Sequence, residues 1–138
     1  MAKKKQVERL PLSGDRLIDW EFKRLVHILE NVIEFVRKKK GLRSPKDRRM
    51  KLWGFLTEDY IVYLSSEKRS KPPIVKILIH ETLHALYPPS VVRHRYIYQK
   101  ADILWVRFTD AQKRYLRAFI PKHEVKTDPP SENKTKTA

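Results

Sequence analysis

The sequence contains no cysteine, two methionines and three glycines, and its apolar runs are short. Without cysteine the chain forms no disulfide, thiolate metal site or cysteine nucleophile, so any metal must be held by His, Asp or Glu. A membrane helix needs about 18 apolar residues in a row, and a signal peptide needs an apolar core that the charged N-terminus lacks. We therefore expect a cytoplasmic protein that does not contact a membrane.

Acidic residues are also few, since 16 Asp and Glu stand against 31 Lys and Arg, which gives a formal net charge of +15. A chain of 138 residues has the length of one domain with a modest core. We assign this domain to residues 13–121. A basic N-terminal arm, 1–12, precedes it, and the polar composition of 122–138 predicts a disordered tail.

The positive charge is concentrated in a predicted basic loop, 37–51, which holds nine Lys or Arg and a single acid. Such a segment can neutralise the phosphates of DNA or RNA. A solvated, mobile surface loop is the alternative interpretation. The residues predicted to contact nucleic acid are Arg37, Lys38, Lys39, Lys40, Arg43, Lys46, Arg48 and Arg49.

The most informative pattern is the pentapeptide HETLH at 80–84. Residues four apart lie on one face of a helix, so His80 and His84 can direct ring nitrogens at one metal ion with Glu81 beside it. Zinc lowers the pKa of a bound water from ~15.7 to about 7, and Glu81 is suited to take its proton as general base. The pattern predicts one Zn²⁺ and a hydrolase. The alternative is an amphipathic core helix whose histidines are merely exposed or hydrogen-bonded.

The elements before the motif are predicted from periodicity. Apolar residues recur at three- and four-residue intervals and predict a long helix at 15–39. Aromatic and β-branched residues at 51–56 and 60–64 predict an antiparallel hairpin. The proline pair that ends at Pro73 then opens the helix that carries the motif, predicted at 73–87.

After the motif helix, one or two further helices are predicted. Ser90 is placed to cap the first of them and Thr109 the second. The apolar stretch 103–108 fits either the end of a helix or a third strand, because short apolar runs do not distinguish the two. The whole pattern predicts an α+β domain with a long N-terminal helix and a small sheet.

The segments 53–65 and 77–88, which contain the hairpin and the metal helix, resemble the core of short zincin-like metallopeptidases from phages, plasmids and archaea. The resemblance covers about residues 50–95. It implies a minimal zincin-like domain that hydrolyses a peptide or protein substrate. In that family the substrate pairs with the edge of the strand before the metal helix, which would be Tyr60–Leu64 here.

A catalytic zinc site needs a third protein ligand, and we favour His94. It lies shortly after the Pro88-Pro89 turn, and similar short sequences often carry a ligand near this point. Asp102 is eight residues further on, on the same helical face, and could orient His94 or replace it. The remaining candidates for an alternative ligand are His123 and Glu124. Metzincins are excluded, because no methionine follows the motif and Tyr87 occupies the place of their glycine.

The sequence therefore predicts a zinc-dependent peptidase with Glu81 as general base. One alternative is a basic nucleic-acid-binding protein that keeps a zincin-like fold with little or no hydrolytic activity. Another is a structural protein that the metal stabilises and whose cleft is occluded. Three tyrosines near the motif could supply a hydroxyl to an oxyanion, namely Tyr87, Tyr96 and Tyr98.

Overall fold

The computed structural model describes residues 10–67 and 72–130. Within these ranges four helices pack with one three-stranded sheet, so the α+β prediction is confirmed. The helices, in chain order, are α1 (Arg16–Asn31), α2 (Ile74–Leu86), α3 (His94–Arg107) and α4 (Asp110–Arg117). The strands are β1 (Phe35–Lys39), β2 (Gly54–Leu56) and β3 (Ile61–Ser65).

The sheet has the order β1-β3-β2, so β3 is its central strand. β2 and β3 pair antiparallel, as predicted for this hairpin, and β1 pairs with β3 in parallel. Because β3 has a partner on each side, the expectation that Tyr60–Leu64 offers a free edge to a substrate is wrong. The edge strand next to α2 is β2 instead.

The predicted helix 15–39 is wrong beyond Asn31. Asp15 caps α1 by accepting hydrogen bonds from the backbone N–H groups of Leu17 and Ile18, and the helix ends at Asn31. The chain then turns, and the N–H of Glu34 donates to the carbonyl of Tyr60 at 2.8 Å, which starts the pairing of β1 with β3. The apolar spacing of this segment suits a helix, but its β-branched and aromatic residues also suit a strand. Pairing with β3, a contact distant in sequence, decides in favour of the strand.

The predicted basic loop and tail are also corrected. Residues 37–39 of the loop belong to β1, so only the part from Lys40 onward is a connection. The assigned disordered tail, 122–138, is structured over 122–130, where the N–H of Val125 donates to the carbonyl of Lys38 at 2.8 Å. Most of the N-terminal arm, 1–9, and the end of the tail, 131–138, lie outside the described residues.

The motif helix α2 forms where it is predicted and begins directly after Pro73. Its apolar residues face the core, and Val75, Leu78 and Leu83 are completely inaccessible to solvent. α1 packs on one side of α2, the sheet on another, and α3 and α4 complete the enclosure. Burial of this stripe leaves the histidine-bearing side of α2 turned away from the core.

The C-terminal helices follow the predicted order with one correction. Ser90 does not cap α3, which begins at His94 with Arg93 before it and no side-chain cap. The ambiguous segment 103–108 continues α3 to Arg107. Thr109 caps α4 as predicted and forms a capping box with Gln112. None of the helices in the described ranges has the length and apolar character needed to cross a bilayer.

Candidate metal centre

Three imidazoles converge at the mouth of a cleft. His80 and His84 lie one turn apart on α2 with their Nε2 atoms 3.1 Å apart. The ring of His94, at the start of α3, stacks on that of His84 with the centroids 4.7 Å apart. One ring nitrogen from each histidine lies within 4.8 Å of the others. Two nitrogens bound to one tetrahedral zinc are about 3.3 Å apart, so the three histidines could hold a metal ion with small adjustments.

The position of the third imidazole, that of His94, depends on the contacts that fix α3 against the other helices. A turn containing Pro88 and Pro89 reverses the chain between α2 and α3. On the cleft side, Lys76 of α2 pairs with Asp102 of α3 at 2.8 Å. On the opposite side, Lys100 of α3 pairs with the buried Glu21 of α1 at 2.7 Å. These two ion pairs tie α3 to both neighbouring helices, although its first turn, which carries the imidazole, has no side-chain cap.

The electrostatics of the cluster suit metal binding. Burial and the neighbouring His84 and His94 lower the pKa of His80 to about 4. Burial and His94 likewise lower the pKa of His84 to about 4. Both rings are therefore neutral at pH 7, so each has a nitrogen lone pair available for a metal.

Glu81 lines the same cleft as the imidazoles and lies against β2. Its side chain is buried, and burial raises its pKa to about 8. A Cβ atom on Gly54 would lie 2.8 Å from the Oε2 atom of Glu81 and 2.6 Å from a methyl group of Ile77. Glycine is thus needed for α2 to approach the strand. This role of Gly54 was not predicted from the sequence, although an isolated glycine in a strand pattern is a sign of close backbone approach.

The cleft, of about 1150 Å³, lies between β2, α2 and α3. Two backbone hydrogen bonds fix the pairing of β2 with β3: Ser65 N–H to the Trp53 carbonyl at 2.7 Å and Thr57 N–H to the Ile61 carbonyl at 3.0 Å. Because hydrogen-bonded and non-hydrogen-bonded pairs alternate, the N–H and C=O groups of Gly54 and Leu56 point away from β3. Within the described ranges no strand pairs with them. The cleft therefore contains a free strand edge beside the imidazoles.

The alternative ligands lie in different places. Asp102 lines the cleft, but it is paired with Lys76 and its side chain is 65% exposed. The backbone of Glu124 forms an isolated parallel β-bridge with Lys38 of β1, on the opposite edge of the sheet from the cleft. His123 precedes it there, so the structure brings neither residue to the imidazoles.

The basic residues of 37–51 are partly countered by the C-terminal segment. Asp128 pairs with Lys39 at 3.4 Å and with Arg48 at 3.7 Å, and it accepts a hydrogen bond from the backbone N–H of Arg43. Arg48 nevertheless remains largely exposed. Nucleic-acid contact through this surface stays a prediction.

Of the three tyrosines near the motif, Tyr98 is the one that lines the cleft. Its ring lies 4.6 Å from the ring of His80 and 4.7 Å from that of His94, centroid to centroid. The hydroxyl of Tyr87 is instead engaged with Arg24 and Glu21 behind the site. Tyr96 packs edge-to-face on Tyr87, outside the cleft lining.

The chain gives no match to family models, curated proteins or solved structures. The identity of a metal is therefore inferred from the donors alone. Three imidazoles suit Zn²⁺ and also other late divalent transition metals. Zinc as the resident ion stays a prediction.

We predict that replacing His94 weakens metal binding more than replacing Asp102. His94→Ala should lower the affinity for Zn²⁺ by more than about 100-fold because it removes a donor, whereas Asp102→Asn should change it by about tenfold or less. Competition with a chromophoric chelator gives both affinities. Equal losses in the two variants would contradict the assignment of His94 as third donor.

The contact at Gly54 predicts a coupled effect. Gly54→Ala should lower the free energy of unfolding by about 1–3 kcal/mol through overpacking. Two of the three atoms nearest the new methyl group belong to Glu81. The cost should therefore shrink in a Glu81→Ala background, which urea unfolding of the four proteins of this double-mutant cycle would measure. A cost that is unchanged in that background would show that contact with the Glu81 side chain is not the cause of the lost stability.

Burial of the Glu81 carboxyl group predicts that its ionisation lowers the free energy of unfolding of the metal-free protein, by an amount that depends on pH. The pKa of Glu81 rises from 4.5 to about 8 on folding, so the penalty is absent below pH 4.5 and grows until about pH 8. Glu81→Gln should therefore stabilise the protein increasingly with pH, by roughly 2–4 kcal/mol at pH 8 relative to pH 4.5. Urea unfolding with chelator at several pH values tests this.

The two histidines with a lowered pKa, His80 and His84, give the free energy of unfolding a pH dependence opposite to that caused by Glu81. Their contribution to stability falls as the pH drops below 6.5 toward about 4. Both proteins of the comparison contain these histidines, so the difference between them isolates Glu81. A difference that does not vary with pH would contradict the predicted burial of its charge.

Proposed function

We propose that this protein is a zinc-dependent peptidase of zincin-like type, which binds one Zn²⁺ through His80, His84 and His94. The observation that carries the proposal is the convergence of three imidazoles beside a buried carboxyl group in a cleft with a free strand edge. Chemically, these are the parts needed to hold a metal, activate a water and bind an extended peptide. We place this activity in the cytoplasm.

When bound, Zn²⁺ would acidify a water molecule, polarise the scissile carbonyl and favour the carboxylate form of Glu81 through its charge. Glu81 then accepts a proton from the water as the new C–O bond forms. It passes that proton to the amine nitrogen as the C–N bond breaks. Burial of Glu81 against Gly54 limits the motion of its side chain, which lines the same cleft as the imidazoles.

The free edge of β2 provides a site for the substrate backbone. An extended peptide laid along Gly54 and Leu56 would receive hydrogen bonds from their N–H groups and donate to their carbonyls. Its scissile bond would then face Glu81, since Gly54 lies against that side chain. Tyr98 flanks the imidazoles on the α3 side, where its hydroxyl is the candidate donor to the developing oxyanion.

Nucleic-acid binding is the second candidate function. It is supported by the net charge of +15 and by the exposed side chains of Lys40, Lys46, Arg48 and Arg49. The pairing of Asp128 with Lys39 and Arg48 weakens it, because an acid within the patch repels phosphate. Binding that falls steeply with salt and after neutralisation of the exposed cations would support this candidate.

The peptidase proposal predicts separable effects of two substitutions. The full chain with one equivalent of Zn²⁺ should cleave a mixed peptide pool, and Glu81→Gln should reduce the rate by more than about 100-fold while zinc is retained. His84→Ala should lose both zinc and activity. Cleavage products are measured by mass spectrometry and zinc by elemental analysis.

Two results would contradict this proposal. Full activity in Glu81→Gln would exclude Glu81 as the general base. Stoichiometric zinc that stabilises the fold, without cleavage of any peptide in the pool, would favour a structural metal site.

A further inference from the structure

The segment before β2, residues 42–52, forms an ordered two-stranded ribbon at one end of the cleft. The N–H of Ser44 donates to the carbonyl of Met50, and the N–H of Leu52 donates to the carbonyl of Leu42, both at 2.9 Å. The guanidinium of Arg43 donates to the carbonyl of Arg48 at 3.1 Å, inside the turn of the ribbon. Leu42 is fully buried and anchors the base. Side chains on this ribbon therefore have defined positions relative to the cleft.

Two lysines of the ribbon, Lys46 and Lys51, line the cleft and are exposed. Within the described ranges neither forms an ion pair. Among the acidic residues of the cleft, Asp102 is neutralised by Lys76, and Glu81 is buried. Glu58 follows β2 at the opposite end of the strand. The end of the cleft next to the ribbon is thus positively charged, and its two cations lack acidic partners.

Both cations line the cleft, and Lys51 lies close to Gly54 and Glu81. Lys51 precedes Gly54 by three residues, which places their Cα atoms at most about 11 Å apart. A peptide extended along β2 advances about 3.3 Å per residue, so the ribbon is reached within about three residues of the scissile bond. A substrate group at that distance can meet a lysine ammonium while the scissile bond faces Glu81.

We propose that Lys46 and Lys51 form a carboxylate-binding subsite, and that the enzyme selects peptides with a carboxylate within three residues of the scissile bond, on one side of it. This inference rests on the proposed peptidase function. The carboxylate belongs either to an Asp or Glu side chain or to the C-terminus of the peptide. Both have the chemistry that an ammonium group recognises, and the position of the scissile bond in good substrates distinguishes them.

The test uses the full chain loaded with Zn²⁺ and matched fluorogenic peptides with Glu or Gln at each of three positions on either side of the scissile bond. A parallel pair ends in a free or an amidated C-terminus. We expect kcat/KM to be about tenfold higher with the carboxylate at one position, the sum of two partly exposed ion pairs. The preference should disappear in Lys46→Gln/Lys51→Gln and decrease in high salt.

The matched control is Lys122→Gln/Lys126→Gln, which removes the same charge from exposed lysines of the C-terminal segment. This control should keep the preference if the subsite is local. An equal loss in both double variants would assign the preference to the overall positive charge and overturn the proposal. Equal kcat/KM for Glu and Gln at every position would also overturn it, while leaving the peptidase function intact.

A binding measurement keeps the inference testable if hydrolysis is absent. The same peptides, labelled for fluorescence anisotropy, are titrated with zinc-loaded Glu81→Gln protein. Tighter binding of the Glu peptide by about tenfold, lost with Lys46→Gln/Lys51→Gln, would support the subsite even if the peptidase proposal fails. Equal binding of the Glu and Gln peptides would reject it.

Discussion

The structure depends on the burial of one stripe of α2. Val75, Leu78, Ile79 and Leu83 are enclosed by α1, the sheet and the C-terminal helices, and each is at most 1% exposed. Burial of four such side chains stabilises the fold by roughly 6–12 kcal/mol, which fixes the rotation of the helix about its axis. His80 and His84 are then held toward the cleft by the same packing that forms the core. A metal site on this helix needs no additional element to orient its first two donors.

The burial of ionisable groups at the site opposes this stability. A carboxyl group buried beside Gly54 and two imidazoles kept neutral by burial each cost free energy in the metal-free protein, over different ranges of pH. A bound cation would compensate both, because it pairs with the imidazole lone pairs and with a charged Glu81. Perturbed pKa values from desolvation, clustered in one cleft, are common at functional sites. Core packing alone gives no reason to bury Glu81, and this favours a functional interpretation of the cluster.

Local signals were sufficient for several elements and insufficient for others. The α2 helix, the β2–β3 hairpin and the Thr109 cap could be predicted because each depends on periodicity or on residues within one turn. β1 could not, since its strand conformation depends on parallel pairing with β3, about 25 residues later in the chain. The structured segment around Val125 was missed for the same reason. At the site, the motif indicated two of the three imidazoles directly, whereas the role of Gly54 depends on how closely α2 approaches β2.

Strand β1, which was not predicted from the sequence, makes β3 the central strand of the sheet. Because β1 occupies one side of β3, and β2 occupies the other, the sheet has its free edge next to the histidine cluster at β2. Without β1, β3 would offer an edge on the side away from α3 and from the three clustered imidazoles. The pairing of β1 with β3 therefore makes β3 the central strand, and the backbone N–H and C=O groups of Gly54 and Leu56 remain the free edge beside the cleft. It also places the ribbon that connects β1 to β2 at the end of that edge, so the position of Lys46 and Lys51 follows from the same topology.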